Sequence, residues 1–247
     1  MAQEKSMSLI EHLTELRKVL IVSAYAIAVG AVIGWLVSEP LFGYLTKPVA
    51  TLAGTKFVTT TITEPVMVKL KVAVLAGILL AIPIVSWQLW SFVLPALKNN
   101  ERKYVYIVVP CSVLLFIGGA AFAFYVVLPI GLKFLLFVSS GVSYTPLITQ
   151  TSYLSFLLAF LLAFGAVFEL PVVLLILVRM GIITPQWLSK NRRYAIFFIV
   201  VAAAIFSPTP DIPSLLLMSA PMYLLYEISI WLSYIVAKRR KKALEGK

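Results

Sequence analysis

Apolar stretches of about 20 residues recur along almost the whole chain, and short polar connections separate them. A helix of that length rises about 30 Å, which is the thickness of the hydrocarbon core of a bilayer. The pattern therefore predicts an all-α membrane protein with six transmembrane helices. It leaves no segment for a separate soluble domain, so residues 1–247 are expected to form a single transmembrane domain.

The first 18 residues have a different pattern, in which charged residues separate leucines at helical spacing. Ser8 and Glu11 match a capping box at the start of this segment. The leucines that share one helical face are Leu9, Leu13, Leu16 and Leu20. Residues 1–18 are therefore predicted to form a cytoplasmic amphipathic segment, followed by a first membrane helix over residues 19–37.

Prolines and polar connections mark the ends of the middle helices. Helix 2 is predicted from Pro65, whose missing N–H suits a first turn, to about Leu94. Helix 3 is predicted over residues 104–128, with continuation past Pro129 as an open alternative, and helix 4 over residues 153–178. A polar, threonine-rich loop is expected between helices 1 and 2.

The last two apolar stretches differ from the others in length. Residues 194–206 of the fifth stretch rise only about 20 Å as a helix, which is less than a bilayer core. Helix 6 is expected over residues 214–237, with interruptions at Pro221 and Glu227. Helices 5 and 6 are therefore predicted to be short, and the bilayer is predicted to thin locally around them.

The basic residues indicate the orientation in the membrane. Of the 21 Lys and Arg residues, sixteen lie in the N-terminal segment, the connections after helices 2 and 4, and the C-terminal tail. The positive-inside rule then places both termini in the cytoplasm, with residues 238–247 as a basic cytoplasmic tail. Because the charges occur in short clusters, the net charge of +11 does not indicate nucleic-acid binding.

Residue types that perform catalysis or bind metals are scarce in this sequence. The single histidine, His12, and the single cysteine, Cys111, predict neither a metal cluster nor an intrachain disulfide. The sequence also lacks a recognisable nucleophile–base pair and a glycine-rich phosphate loop. We therefore expect no enzymatic activity and no cofactor.

The chain has ten acidic residues, and three of them stand out. Glu15 and Glu101 lie beside basic residues on the cytoplasmic side, where they either form ordinary surface charge pairs or accept guanidinium groups bidentately. Glu169 lies inside helix 4 next to Pro171. It is either a hydrogen-bonded structural residue or part of a polar notch that faces protein or water.

Three further residues have both a structural and a functional interpretation. Asp211 lies among three prolines and is typical of a rigid turn. Phe92 is, on composition alone, an aromatic residue of the membrane interface. Glu227 lies closer to the cytoplasmic end of helix 6, where snorkelling or helix packing explains it.

Five motifs occur in order along the chain. They cover residues 11–17 (EHLTELR), 90–97 (WSFVLPAL, followed by Glu101-Arg102), 164–171 (FGAVFELP), 207–211 (SPTPD) and 220–228 (APMYLLYEI). Together they resemble the TatC family, in which each member is the receptor subunit of a twin-arginine protein translocase. The resemblance covers residues 9–237. It implies a six-helix cup with a concave face, located in the inner membrane, that binds signal peptides carrying paired arginines.

The resemblance also implies roles for individual residues. Glutamates that match Glu15 and Glu101 recognise the arginine pair in that family, and Arg17 and Phe92 match positions whose alteration disturbs signal recognition. The residue that matches Glu169 points into a hollow at membrane level. Pro48 and Asp211 match family positions that are important for transport rather than for the first contact with the signal peptide.

The partners that the resemblance implies are the single-span proteins TatA and TatB, further copies of the receptor itself and folded cargo proteins. The proton-motive force would supply the energy. The polar notch at Glu169 and helices 5 and 6 are the expected docking surfaces. Many relatives carry a glutamine where this chain has Ser214, so no role is transferred to that residue.

A secondary transporter for a small solute is the main alternative, because such carriers also use a buried carboxylate and broken helices. The absence of an evident internal repeat in the sequence counts against it. Solute uptake into proteoliposomes would favour the carrier, and peptide crosslinking that depends on the arginine pair would favour the receptor.

Overall fold

The computed structural model describes residues 9–51, 56–93, 105–137, 147–206 and 212–245. Most of these residues are helical. The helices are α1 (Leu9–Leu36), α2 (Ser38–Leu45), α3 (Lys47–Ala50), α4 (Glu64–Val93), α5 (Val105–Phe122), α6 (Leu128–Phe137), α7 (Gln150–Phe168), α8 (Leu170–Met180), α9 (Pro185–Lys190), α10 (Arg192–Phe206) and α11 (Ile212–Glu245). A π-helical turn, Ala123–Val127, joins α5 to α6.

Within this part of the chain, five segments are long and apolar enough to cross a membrane. They are His12–Leu36, Glu64–Phe92, Tyr106–Phe134, Gln150–Met180 and Leu215–Lys238. These spans agree with five of the six predicted membrane helices. The remaining stretch is α10, whose 15 residues rise about 22 Å. Helix 5 is therefore short, as predicted, and its crossing of the membrane stays a prediction.

The observed bounds of helices 1 to 3 agree closely with the predicted ones. Since α1 runs without a break from Leu9, residues 9–18 of the amphipathic segment are continuous with the first membrane helix, and residues 1–8 lie outside the described residues. Pro65 lies in the first turn of α4, which ends at Val93. Helix 3 continues past Pro129 as far as Phe137, so the longer of the two alternatives is correct.

Helix 6 requires a correction, because α11 is a continuous helix of 34 residues and the prediction that helix 6 is short is wrong. Pro221 lies inside the helix without ending it, since a proline removes only one N–H donor and α8, α9 and α10 all pack against α11. Glu227 does not interrupt the helix either. Its carboxylate pairs with Arg192 and accepts a hydrogen bond from the Tyr223 hydroxyl.

The connection between helices 1 and 2 contains more structure than the predicted loop. It holds α2, α3 and the strand β1 (Lys56–Val58), which pairs in parallel with β2 (Leu147–Thr149) just before α7. Phe57 is opposite Ile148 in this register. The two strands of three residues are the only sheet in the described residues, and they join segments that are distant in sequence.

The chain divides into two compact units, of which the first contains Met1–Leu41 and Lys69–Val113. Its centre is an antiparallel contact between α1 and α4. A β-carbon on Gly30 would lie 2.7 Å from the Gly77 carbonyl oxygen, and one on Gly34 would lie 2.7 Å from the Ala73 carbonyl oxygen. Small residues spaced four apart on both helices therefore let the two backbones touch, as is usual for packing in membranes.

The second unit contains Phe42–Val68 and Leu114–Lys247. In it, α5 and α7 also approach closely, because a β-carbon on Gly119 would lie 2.7 Å from the Phe164 carbonyl oxygen. The rings that pack around this contact belong to Phe122, Phe160, Phe164 and Phe168. In the same unit, the Tyr153 hydroxyl donates to the Leu45 carbonyl oxygen at 2.6 Å, which ties α7 to the end of α2.

Candidate functional site

The start of α1 and the end of α4 meet through an aromatic stack. The rings of His12 and Phe92 have centroids 4.4 Å apart and an interplanar angle of 22°. His12 is the first residue of one membrane span, and Phe92 is the last residue of another. The stack therefore lies at one end of both spans, where an apolar segment gives way to polar surroundings.

Glu15 lies one helical turn after His12 on α1. His12, Glu15 and Val19 are spaced three and four residues apart, so they share one stripe of the helix. Burial increases along this stripe, from the exposed His12 through the half-buried Glu15 to Val19, which is buried at 6% exposure. The Glu15 side chain is half-buried, and its Oε2 atom is buried without a hydrogen-bond partner among the described residues.

A carboxylate oxygen in this state has lost water without gaining a donor, and that loss costs free energy unless a ligand supplies one. Arg17 does not supply it within the helix, because residues two apart point to different sides. The Arg17 side chain is exposed. The geometry thus leaves the Glu15 Oε2 atom as a buried acceptor on α1, one turn after the stacked rings.

Two contacts hold the end of α4 against the start of α5. The Trp90 indole Nε1 donates to the buried Ser112 hydroxyl at 2.7 Å, and the Trp87 ring meets the Tyr106 ring edge-on with centroids 5.8 Å apart. Phe92 follows two residues after Trp90. The end of α4 that carries Phe92 is therefore held by α5 on one side, and Phe92 itself contacts His12 of α1.

The other predicted binding residue, Glu101, lies outside the described residues, which stop at residue 93 and resume at residue 105. It precedes the first residue of α5 by four positions in the chain. The structure therefore brings together Glu15, Phe92 and His12.

Glu169 belongs to the second unit and marks a break between α7 and α8. Its backbone N–H bonds to the Ala166 carbonyl oxygen, and Pro171 occupies the first turn of α8. Helix 4 is thus interrupted by one residue, Glu169, beside Pro171. The Glu169 side chain is half-buried.

An apolar cavity of about 360 Å³ opens beside this break. Apolar side chains from α7, α8, α10 and α11 surround it. The lining residues are Ala163, Ala166, Val167, Leu170, Phe198, Ile199, Ala202 and Met222. The cavity has room for apolar side chains or an acyl chain, and it places the Glu169 backbone at the edge of that space.

The two residues that the sequence links to transport are Pro48 and Asp211. Pro48 is half-buried in the short helix α3, and its carbonyl oxygen accepts a hydrogen bond from the Thr51 hydroxyl at 3.0 Å. Asp211 lies outside the described residues, immediately before α11. Ser214 is part of the α11 backbone.

Comparison with known proteins identifies the family. The family model described as Sec-independent protein translocase protein (TatC) matches residues 11–221. The chain belongs to the TatC family. It is 44% identical to the Sec-independent protein translocase protein TatC of Carboxydothermus hydrogenoformans. The matched region of 234 residues covers 95% of this chain and 96% of that protein. Identity to the Aquifex aeolicus TatC is 37%, over 96% of this chain and 98% of that protein.

Two solved structures share the fold. One, described as the crystal structure of the twin arginine translocase receptor TatC, has a TM-score of 0.80 and 37% identity, and covers 92% of this chain and all of that chain. The other, the same receptor in DDM, has a TM-score of 0.82 and 38% identity, and covers 90% of this chain and 99% of that chain. This chain is therefore a multi-pass membrane protein of a translocase family.

The sequence did not single out His12 as part of the site. His12 counted there only as the single histidine that argues against a metal cluster, although it lies within the EHLTELR motif and three residues before Glu15. That spacing alone puts His12 and Glu15 on one helical face. Its partner Phe92 is 80 positions away, so no local pattern predicts the stack.

Proposed function

We propose that the chain is the receptor and core subunit of a twin-arginine protein translocase. It binds twin-arginine signal peptides at the cytoplasmic face of the inner membrane and assembles with TatA and TatB family proteins. The complex exports folded proteins using the proton-motive force. The chain itself carries out no catalytic step in this proposal.

The observation that carries the proposal is the Glu15 carboxylate, with a buried oxygen that has no donor among the described residues. Arginine is the side chain that suits such an acceptor, because its planar guanidinium presents parallel N–H groups to a carboxylate. A lysine ammonium has a similar charge but lacks this geometry. The site would therefore prefer arginine to lysine.

Two carboxylates suit two arginines. Glu15 would accept one guanidinium and Glu101 the other. A charge pair at 4 Å in an effective dielectric of 20 attracts by about 4 kcal/mol before desolvation is subtracted. The net contribution is smaller, so the glutamates supply selectivity, and the apolar core of the signal peptide supplies much of the affinity.

The location of the stack supports a cytoplasmic binding face. His12 and Phe92 lie at the ends of their spans that the basic residues assign to the cytoplasm. In this proposal α10 is the sixth crossing, both termini are cytoplasmic, and the helices form a cup. An incoming signal peptide would then meet Glu15 before its apolar core enters the membrane.

The break at Glu169 and the adjoining cavity support docking of single-span partners. The cavity is apolar and lies within the spans, so a partner helix could fill it with aliphatic side chains. A polar residue on that helix would find the Glu169 carboxylate at the break. Self-association of receptors would add further interfaces.

The decisive experiment is crosslinking of a signal peptide to the full-length chain in lipid nanodiscs. A peptide with paired arginines should crosslink to the unmodified chain, and the double variant E15Q/E101Q should lose most of that signal. The variant E39Q is the matched control, because Glu39 is an exposed carboxylate that already pairs with Lys69. Crosslinking that survives in E15Q/E101Q would refute the proposal.

A further inference from the structure

His12 and Phe92 form a flat surface beside an unused acceptor. The two rings are nearly parallel, at a centroid separation of 4.4 Å. Phe92 is half-buried and His12 is exposed, so the imidazole face that points away from Phe92 is accessible. The Glu15 side chain projects from the same helical stripe one turn later.

The spacing suits one guanidinium group. Side chains three residues apart on a helix have β-carbons about 5–6 Å apart, which matches the reach of an arginine fork lying between them. The plane of a guanidinium stacks on aromatic rings while its N–H groups donate in that plane. An arginine on the imidazole face could therefore donate sideways to the Glu15 oxygen.

We propose that His12 is a further signal-peptide-binding residue. One arginine of the signal peptide lies flat on the imidazole ring, Phe92 supports the ring from behind, and Glu15 accepts the N–H groups. This inference rests on the proposed function and adds to it a second source of arginine preference. The first source is the match between the guanidinium fork and the Glu15 carboxylate, and the second is the stacking of the planar group on the His12 ring.

A purely structural role makes a different prediction. If the stack only holds α1 against α4, its loss would weaken binding of every peptide in the same proportion. If the imidazole contacts the arginine, its loss weakens the arginine peptide more than the lysine peptide. The ratio of the two dissociation constants therefore separates the two roles.

The test uses the full chain in nanodiscs and two synthetic signal peptides, one with paired arginines and one with paired lysines. His12→Ala removes the ring, His12→Leu keeps apolar packing without a plane, and His12→Phe keeps the plane. Leu13→Ala is the matched control, because Leu13 is the next residue of α1 and is 63% exposed. Thermal unfolding of each variant shows that it is folded.

For His12→Ala and His12→Leu we expect about threefold to tenfold weaker binding of the arginine peptide, with little change for the lysine peptide. His12→Phe should retain the preference, and Leu13→Ala should match the unmodified chain. Equal weakening of both peptides, or none, would overturn the role of His12. If His12→Ala has no effect while E15Q/E101Q abolishes binding, only this inference fails. If E15Q/E101Q also binds normally, the proposed function fails.

Discussion

Gly30 of α1 and Gly77 of α4 touch through their backbones. A β-carbon on Gly77 would lie 2.5 Å from the Ala31 amide nitrogen, and one on Gly30 would lie 2.7 Å from the Gly77 carbonyl oxygen. Backbone atoms cannot rotate away as side-chain ends can. The antiparallel contact that brings His12 beside Phe92 at one end thus depends on two residues without side chains.

Gly30→Ala and Gly77→Ala should each destabilise the chain by about 1–3 kcal/mol, the usual cost of overpacking. The readout is thermal or denaturant unfolding in detergent. Gly118→Ala is the control, because a β-carbon there meets nothing within 4 Å and alanine favours a helix. A Gly30→Ala chain as stable as Gly118→Ala would show that α1 and α4 are not in backbone contact.

Glu64 is a buried carboxylate, at 3% exposure, that ties two distant segments together. Its Oε2 accepts the Thr60 N–H at 2.7 Å, and its Oε1 accepts the Thr151 N–H in the first turn of α7 at 3.1 Å. Glu64→Ala leaves these amides without that acceptor. We expect a clear fall in melting temperature, and a smaller fall for Glu64→Gln, which keeps one amide oxygen as acceptor. Equal melting temperatures for the unmodified chain and Glu64→Ala would contradict this role.

The ion pair between Glu39 and Lys69, at 2.7 Å, should contribute little because both side chains are exposed. The hydrogen bond from Lys69 lowers the pKa of Glu39 below its ordinary value of 4.5. The folded state therefore favours the carboxylate, and any stabilisation is present above pH 4.5 and is lost as the pH falls through the folded-state pKa. Melting temperatures of Glu39→Gln and the unmodified chain should differ slightly at neutral pH and converge in acid. A difference in melting temperature that grows as the pH falls would contradict the lowered pKa of Glu39.

The hydrogen bond from Trp90 to Ser112 should stabilise the contact between α4 and α5 near the candidate site. Trp90→Phe keeps a ring and removes the donor. A double-mutant cycle with Ser112→Ala should give a coupling of about 1 kcal/mol. The cycle is measured by unfolding in detergent, and a coupling near zero would mean that the two side chains do not interact.

The sequence predicts the helices well because their signals are local. The apolar run and Pro65 are enough to place both ends of α4, and the end of α10 at Phe206 follows from the prolines after it. The residues alone left two interpretations open for Glu15 and for Phe92, and the resemblance assigned both to signal recognition. Nothing local indicates that residues 56–58 pair with residues 147–149, since that pairing joins segments far apart in the chain.

The length of α11 shows a different limit of sequence reasoning. Pro221 and Glu227 each disfavour a helix in lipid when considered alone. The structure compensates for both through tertiary contacts, since Arg192 and Tyr223 bind the Glu227 carboxylate and four helices, α7 to α10, pack against α11. Such compensation depends on neighbours that become known only once the chain is folded.

Glu169 should affect transport without affecting signal-peptide binding. It lies at the break between α7 and α8, beside the apolar cavity and in a different compact unit from Glu15. Glu169→Ala removes a carboxylate from within the span, so a partner helix with a polar residue would lose its acceptor at that depth. We expect unchanged affinity for the arginine peptide together with reduced export in cells that lack their own receptor. Val173→Ala is the control, because Val173 lies one turn later on α8 and is 39% exposed. Normal export by Glu169→Ala would remove this residue from the transport step, and weakened peptide binding would instead place it in recognition.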